Sequence, residues 1–179
     1  MTQIASVYGQ ALYTLAQEEN LVETIRQELS RVGEVLEKEP DYLRLLSAVN
    51  IPRQERCTLL DSAFRNKVHP YVLNFLKILT EKGYAKHYFS CLEAYICQYN
   101  LDNNILPVRA VSAIALSPNQ IGRLEEKISA LSGKKACVEN RVDPQCLGGI
   151  LLDYDGAQVD GSVASRIEKI RKLLKNTVL

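Results

Sequence analysis

The hydrophobic period changes once along the chain, and that change limits what the sequence can fold into. Up to about residue 101 the apolar residues recur every three or four positions, as in Ile4, Tyr8, Ala11 and Leu15, then Val22, Ile25, Leu29, Val32 and Leu36. This is the spacing of one face of an α-helix. Beyond the polar stretch from Leu101 to Asn104 the pattern alternates, with Leu106, Val108, Ala110, Ser112, Ile114 and Leu116 at every second residue. That is the spacing of one face of a strand. One element cannot carry both periods, so the sequence predicts an α+β chain of two units, residues 1–104 and 105–179, joined by a polar hinge.

Prolines and glycines divide the first unit. Pro40, Pro52 and Pro70 each suit the first turn of a helix, where a missing N–H costs nothing, and Gly83 suits a helix stop. The segments 41–49, 53–65, 71–82 and 86–100 join the two leading helices to give an expected six-helix bundle with short connections. In the second unit Ser117, Pro118 and Gln120 have the layout of a capping box. The helix they open carries Ile121, Leu124, Ile128 and Leu131 as its expected buried stripe and stops at Gly133. Segments 135–142 and 149–154 read as strands, Asp155-Gly156 as a hairpin turn, and Ser162 as the cap of a last helix. That helix would face Val163, Ile167, Ile170 and Leu174 inward and Arg166, Lys169, Arg171, Lys172 and Lys175 outward. The predicted order is βαββ(β)α.

With 46% hydrophobic and 24% charged residues in 179, the chain can bury a core. No apolar run reaches the roughly 18 to 20 residues of a spanning helix, and the first residues lack the layout of a signal peptide, so a cytoplasmic site is expected. The 22 basic and 21 acidic residues leave a net charge of +1, with 11 basic and 13 acidic before residue 105 and 11 and 8 after it. Nothing there favours nucleic acid. Five cysteines without a C-x-x-C pair suit reduced thiols.

Catalytic motifs are missing. His69 and His87 have no partner at ligand-like spacing and read as packing histidines. Gly148-Gly149 is not followed by Lys-Ser/Thr, so it is no phosphate loop; a close approach of the backbone to a neighbour explains it better. Asp153 to Gly156 fails as a calcium loop because Ala164 stands where a bidentate Glu is needed. No catalytic residue, metal or cofactor is expected, and a binding role follows.

Two helices are too apolar for one core. On the first, Ile4, Val7, Tyr8, Ala11 and Leu15 read as the core stripe, while Ala5, Gly9, Leu12 and Ala16 make a second flank of mostly small residues. On the helix from Tyr71, Val72, Leu76 and Leu79 form a normal stripe, and Tyr71, Phe75 and Ile78 add a face beside it. The surplus surfaces predict a shared groove for an amphipathic helix, formed by Ala5, Tyr8, Gly9 and Leu12 on one side and Tyr71, Phe75 and Ile78 on the other. The competing reading is that another helix of the same bundle fills the small-residue flank. The basic terminal helix lacks interleaved aromatics and reads as a solvated face or a contact for an acidic protein.

Several segments carry a family resemblance. They are Tyr8 to Tyr13 followed by Leu15-Ala16, Asn74 to Leu79 with Glu81 to Gly83, Val142 to Ile150, and Val159 to Val163 leading into Arg166-Ile167. Together they resemble the delta subunits of bacterial F-type ATP synthases, the counterparts of the mitochondrial oligomycin-sensitivity-conferring protein, over essentially the whole chain. Gly9, Cys146 and the stretch from Tyr154 to Ala157 depart from the family pattern. The resemblance implies a non-catalytic stator that ties the catalytic head to the membrane-anchored peripheral stalk at the cytoplasmic face of the cell membrane. It further implies that the first and fifth helices receive the N-terminal helix of an alpha subunit, and that the second unit faces the stalk b subunits. Gly148, Gly149, Asp160 and Gly161 would then serve the architecture and assembly of that unit. The alternatives are a small transferase using Asp143 or Asp160, which would need a polar pocket, and a helical-bundle adaptor binding RNA or another protein helix.

Overall fold

Helix ends in the first unit fall at its prolines and positive-φ residues. The computed structural model describes residues 3–48, 50–146, 148–154 and 156–161, in two units that divide between Tyr99 and Asn100. The first contains α1 (Gln3–Glu18), α2 (Val22–Lys38), α3 (Pro40–Leu46), α4 (Arg53–Phe64), α5 (Pro70–Glu81) and most of α6 (Tyr88–Asp102), which follows a 3-10 turn at Ala85–His87. Pro40 and Pro70 open α3 and α5, whereas Pro52 sits one residue earlier, as the N-cap of α4. Gly83, at φ 74°, releases the chain from α5. At the other end of α5, His69 caps the helix by accepting the Tyr71 N–H on Nδ1, and its own N–H donates to the Glu28 carboxylate of α2. That pair fixes where α5 starts against α2.

Two buried tyrosines of α6 anchor α2. Tyr88 donates to the Leu29 carbonyl at 2.6 Å and Tyr95 to the Val22 carbonyl at 2.9 Å. Burial pushes both phenols up, so they remain neutral donors. Tyr13 of α1 meets the Tyr95 ring edge-on at 5.2 Å. Around them lie Ile25, Leu29, Leu60, Val72 and Leu79, each at most 1% exposed. Each such side chain contributes roughly 1.5 to 3 kcal/mol by leaving water.

The face of α1 that enters this core is the opposite of the expected one. Ala5, Gly9, Leu12, Tyr13 and Ala16 are buried, while Val7 is 59% exposed and Ala11 is exposed. The flank of small residues is the core face. At Gly9 the two helix backbones come so close that an added Cβ would lie 2.6 Å from the Cys91 carbonyl oxygen and 2.7 Å from Ala94 Cβ. Small side chains are needed where α1 approaches α6, and Leu12 and Tyr13 fill the core beside that contact while Val7 is left in solvent.

The second unit consists of β1 (Ile105–Ser112), α7 (Pro118–Ser132), β2 (Lys135–Val142), a 3-10 turn (Pro144–Cys146), β3 (Ile150–Tyr154) and β4 (Ala157–Asp160). The sheet order is β2-β1-β3-β4. β1 and β2 are parallel, with Val108 opposite Val138, and the pairings β1/β3 and β3/β4 are antiparallel. A parallel pair needs a crossover, which α7 supplies. Its capping box forms as read from the sequence, with the Ser117 hydroxyl accepting from the Gln120 N–H and the Gln120 side chain accepting from the Ser117 N–H. Gly133, at φ 68°, ends the helix.

Leu106, Val108, Ala110, Ala136 and Val138 form the core of this unit, with Ile121, Leu124 and Ile128 of α7 packed on them. Leu131 does not join that stripe and is 88% exposed. Nor does the strand continue through Ile114 and Leu116: β1 ends at Ser112, and Ile114 is 76% exposed. Asn140 explains the stop. Its amide donates to the Ala110 carbonyl and Ser112 Oγ and accepts from the Leu116 N–H, drawing the segment after β1 toward β2. Two α7 side chains also reach the outer side of β2, where Ser129 Oγ accepts from the Ala136 N–H and Glu125 from the Val138 N–H, both at 2.9 Å. The expected helix after Ser162 lies outside the described residues.

Candidate helix-binding groove

Between α1 and α5 runs an apolar cleft of about 240 Å³, lined by Tyr8, Ala11, Leu12 and Leu15 and by Tyr71, Asn74, Phe75 and Ile78. Both helices present the same repeat, i, i+3, i+4 and i+7, which is one continuous helical stripe. Leu12 and Phe75 are buried and form the floor. Tyr8, Leu15, Tyr71 and Ile78 are half-buried walls, and Ala11 is an exposed, shallow point in the rim. Tyr8 meets Tyr84 edge-on at 6.0 Å, and Tyr71 lies 4.9 Å from the His69 ring, so both wall aromatics are braced from behind. The Glu19 carboxylate beside Tyr71 raises its phenol pKa, keeping it a neutral donor at the rim.

Five of the seven residues expected from the sequence line this cleft: Tyr8, Leu12, Tyr71, Phe75 and Ile78. Ala5 and Gly9 do not. Ala5 is 0% exposed, and Gly9 is covered by α6. Ala11 and Leu15, read as core, are groove residues, and Asn74, which carries part of the family resemblance, joins them without having been expected in the groove. The signal that would have found them is the spacing 8, 11, 12, 15 itself, which matches 71, 74, 75, 78 on the facing helix. A second apolar cleft of about 430 Å³, walled by Val32, Val35, Tyr42, Ala63, Phe64 and Val68, was also missed.

The remaining candidates have structural roles. His69 caps α5 and His87 lies edge-on to Tyr84. Asp143 accepts from the Gln145 N–H, closing the turn after β2. Burial pushes the Cys91 thiol up to about 11, which suppresses its thiolate. The groove offers shape and apolar surface.

The sequence profile of the family described as the ATP synthase delta (OSCP) subunit matches residues 4–174. The chain belongs to the ATP synthase delta (OSCP) family. An ATP synthase subunit delta of Clostridioides difficile is 32% identical over 98% of this chain and 97% of its own length, and one of Lactobacillus johnsonii is 33% identical over 96% and 94%. A chain of the Toxoplasma gondii mitochondrial ATP synthase hexamer shares the fold, with a TM-score of 0.75 and 16% identity over 97% of this chain and 98% of that one. As a delta-family member the chain is a stator component of an F-type ATP synthase and associates with other subunits of that membrane-associated enzyme complex. No helix among the described residues is long and apolar enough to cross a membrane. The delta-family segment from Val142 to Ile150 holds Gly148 at φ 141° and Gly149 at φ 79°, backbone that side-chain-bearing residues rarely adopt. Gly161 has a different reason: its N–H donates to the Ile150 carbonyl, and a Cβ there would lie 3.0 Å from that oxygen.

Proposed function

We propose that the cleft between α1 and α5 receives the amphipathic N-terminal helix of an alpha subunit of the catalytic head, and that the unit from about residue 105 onward faces the b subunits of the peripheral stalk. The observation that carries the first part is the matched pair of apolar stripes, Tyr8, Ala11, Leu12 and Leu15 against Tyr71, Phe75 and Ile78. Apolar anchors at helical spacing on an incoming helix would fit between them. The subunit then works as a passive, non-catalytic tether at the cytoplasmic face of the membrane. A turning central stalk exerts torque on the head, and proton flow drives ATP synthesis only while the head is held still. What such a tether needs is a long-lived contact at each end.

The groove is tested with a peptide of the alpha N-terminal helix titrated calorimetrically into the full chain and into Ala11→Glu. Ala11 is exposed and Glu is a good helix former, so the fold is kept while a carboxylate enters the apolar contact. Binding should weaken by at least about tenfold, or ~1.4 kcal/mol. Ile78→Ala, which removes a wall without adding charge, should cost about 1 to 2 kcal/mol. Equal affinity in both folded variants would place the alpha helix elsewhere.

A further inference from the structure

α4 and α5 lie side by side, joined by the Lys77–Asp61 ion pair at 2.7 Å. Where α4 begins and α5 ends, an open cleft of about 500 Å³ is lined by Arg53 and Arg56 of α4 and by Lys82 and Lys86 just beyond α5, with Glu81 as its one acidic residue. Four cations against one carboxylate is a local excess, because the whole chain carries only +1.

Arg56 is what turns this excess into a site. It is 6% exposed, its Nη1 donates to the Leu46 carbonyl at 2.9 Å, and its Nε has no hydrogen-bond partner. A carbonyl accepts a hydrogen bond but neutralises no charge, and a buried guanidinium without a counter-ion is costly. Glu81 does not supply one. Its carboxylate lies 3.8 Å from Cys57 Sγ, and none of the ion pairs found among the described residues includes Arg53, Arg56, Lys82 or Lys86. Pro52, the N-cap of α4, has no side-chain acceptor either, so the positive end of that helix adds to the field of the cleft.

We propose that this cleft is a docking site for an acidic segment of another protein chain, one carrying several carboxylates in succession. Charge complementarity selects the sign of the occupant, and the lining selects its class. The cations come from both elements and are spread along the cleft, so one compact oxyanion would meet only part of the set. Ser47, Ile51 and Pro52 add an uncharged wall that suits a peptide backbone and the aliphatic stems of glutamates. The exposed Arg53, Lys82 and Lys86 then bind successive carboxylates, Arg53 by charge-assisted, fork-shaped hydrogen bonds, while the buried Arg56 adds uncompensated positive charge beneath them. This contact is separate from the α1/α5 groove and stands whether or not that groove holds an alpha helix.

The test is fluorescence anisotropy of labelled hexaglutamate with the full chain at about 50 mM salt, where screening is modest. Binding is expected, weakening as salt rises. The double variant Lys82→Ala, Lys86→Ala should weaken it by at least about tenfold. Both lysines are exposed, so the fold is preserved. Arg56→Met should do the same, with circular dichroism confirming the helices. Three results would overturn the proposal: no binding of hexaglutamate at low salt, equal binding by the lysine double variant, or full displacement of the peptide by millimolar inorganic phosphate, which would make the cleft a simple oxyanion site.

Discussion

Replacing Gly9 with alanine sets two known effects against each other, and the structure decides which wins. In an unobstructed helix interior the change is stabilising by about 1 kcal/mol, because glycine carries the larger entropy cost. Here the new methyl would lie 2.6 Å from the Cys91 carbonyl oxygen, 2.7 Å from Ala94 Cβ and 3.2 Å from the Tyr95 nitrogen. Two of those atoms are backbone and cannot rotate away. Relief requires α1 and α6 to separate by several tenths of an ångström, which loosens the packing of Tyr13 on Tyr95. Overpacking of this kind costs about 1 to 3 kcal/mol; a 2.6 Å approach to a backbone oxygen belongs in the upper half of that range, so after the gain of about 1 kcal/mol the net effect is a destabilisation of roughly 1 to 2 kcal/mol. For a unit of this size that lowers Tm by about 4 to 15 °C. Thermal melting followed by circular dichroism at the helix band measures it. Gly122→Ala in α7 is the control, since a Cβ there meets nothing within 4 Å, and it should be neutral or stabilising. A Gly9→Ala protein that melts at or above the parent temperature would refute the close approach of α1 and α6.

Four further outcomes are expected. Asn140→Ala removes the acceptor of the Leu116 N–H and the donor to Ala110 and Ser112, and should cost about 1 to 3 kcal/mol in urea unfolding. Gly149→Asp forces a side chain into φ 79° and should block assembly with the stalk, scored by co-purification; normal assembly would show that this backbone adapts. Arg26 and then Gln27 hydrogen-bond the Glu23 carboxylate and lower its pKa from 4.5 to about 2. The stabilisation is present above pH 4.5 and is lost as pH falls toward 2; for this half-exposed group it amounts to a few tenths of a kcal/mol, and Glu23→Gln should remove it from the acid-unfolding curve. Limited proteolysis should cut first between about residues 98 and 108, the stretch containing the exposed residues 101–104, and an even spread of nicks over other loops would count against a hinge there.

Local signals were the legible part of the sequence. Ser117 with Gln120, Pro40, Pro70, Gly83 and Gly133 act within a few residues of themselves, through a capping side chain or their own backbone, so the helix boundaries they imply need no knowledge of distant neighbours. The orientation of α1 was not legible for the opposite reason. Its two flanks are both apolar, and which one is buried depends on how closely α6 approaches; only the position of Cys91 and Ala94 beside Gly9 decides it. Leu131 shows the same limit, since its spacing continues the stripe of Ile121, Leu124 and Ile128 into the last turn of α7, where its side chain remains in solvent. The groove was partly readable because a surplus of apolar surface on two helices is a property of each helix alone. Its membership was not, because Ala11 and Leu15 also fit a core stripe. Arg56 left no mark at all, since a buried arginine and a surface one look alike in sequence.

The hold of α7 on β2 bears on how the protein survives before it meets its complex. A sheet border offers unpaired amides to any extended chain that drifts past, and such borders seed aggregation. On β2 the amides of Ala136 and Val138 are already taken by Ser129 and Glu125, so a stray strand would have to displace those two bonds to pair there. The helix that completes the parallel crossover thereby also covers part of the sheet's border, which raises the cost of recruiting a second copy along that stretch of β2.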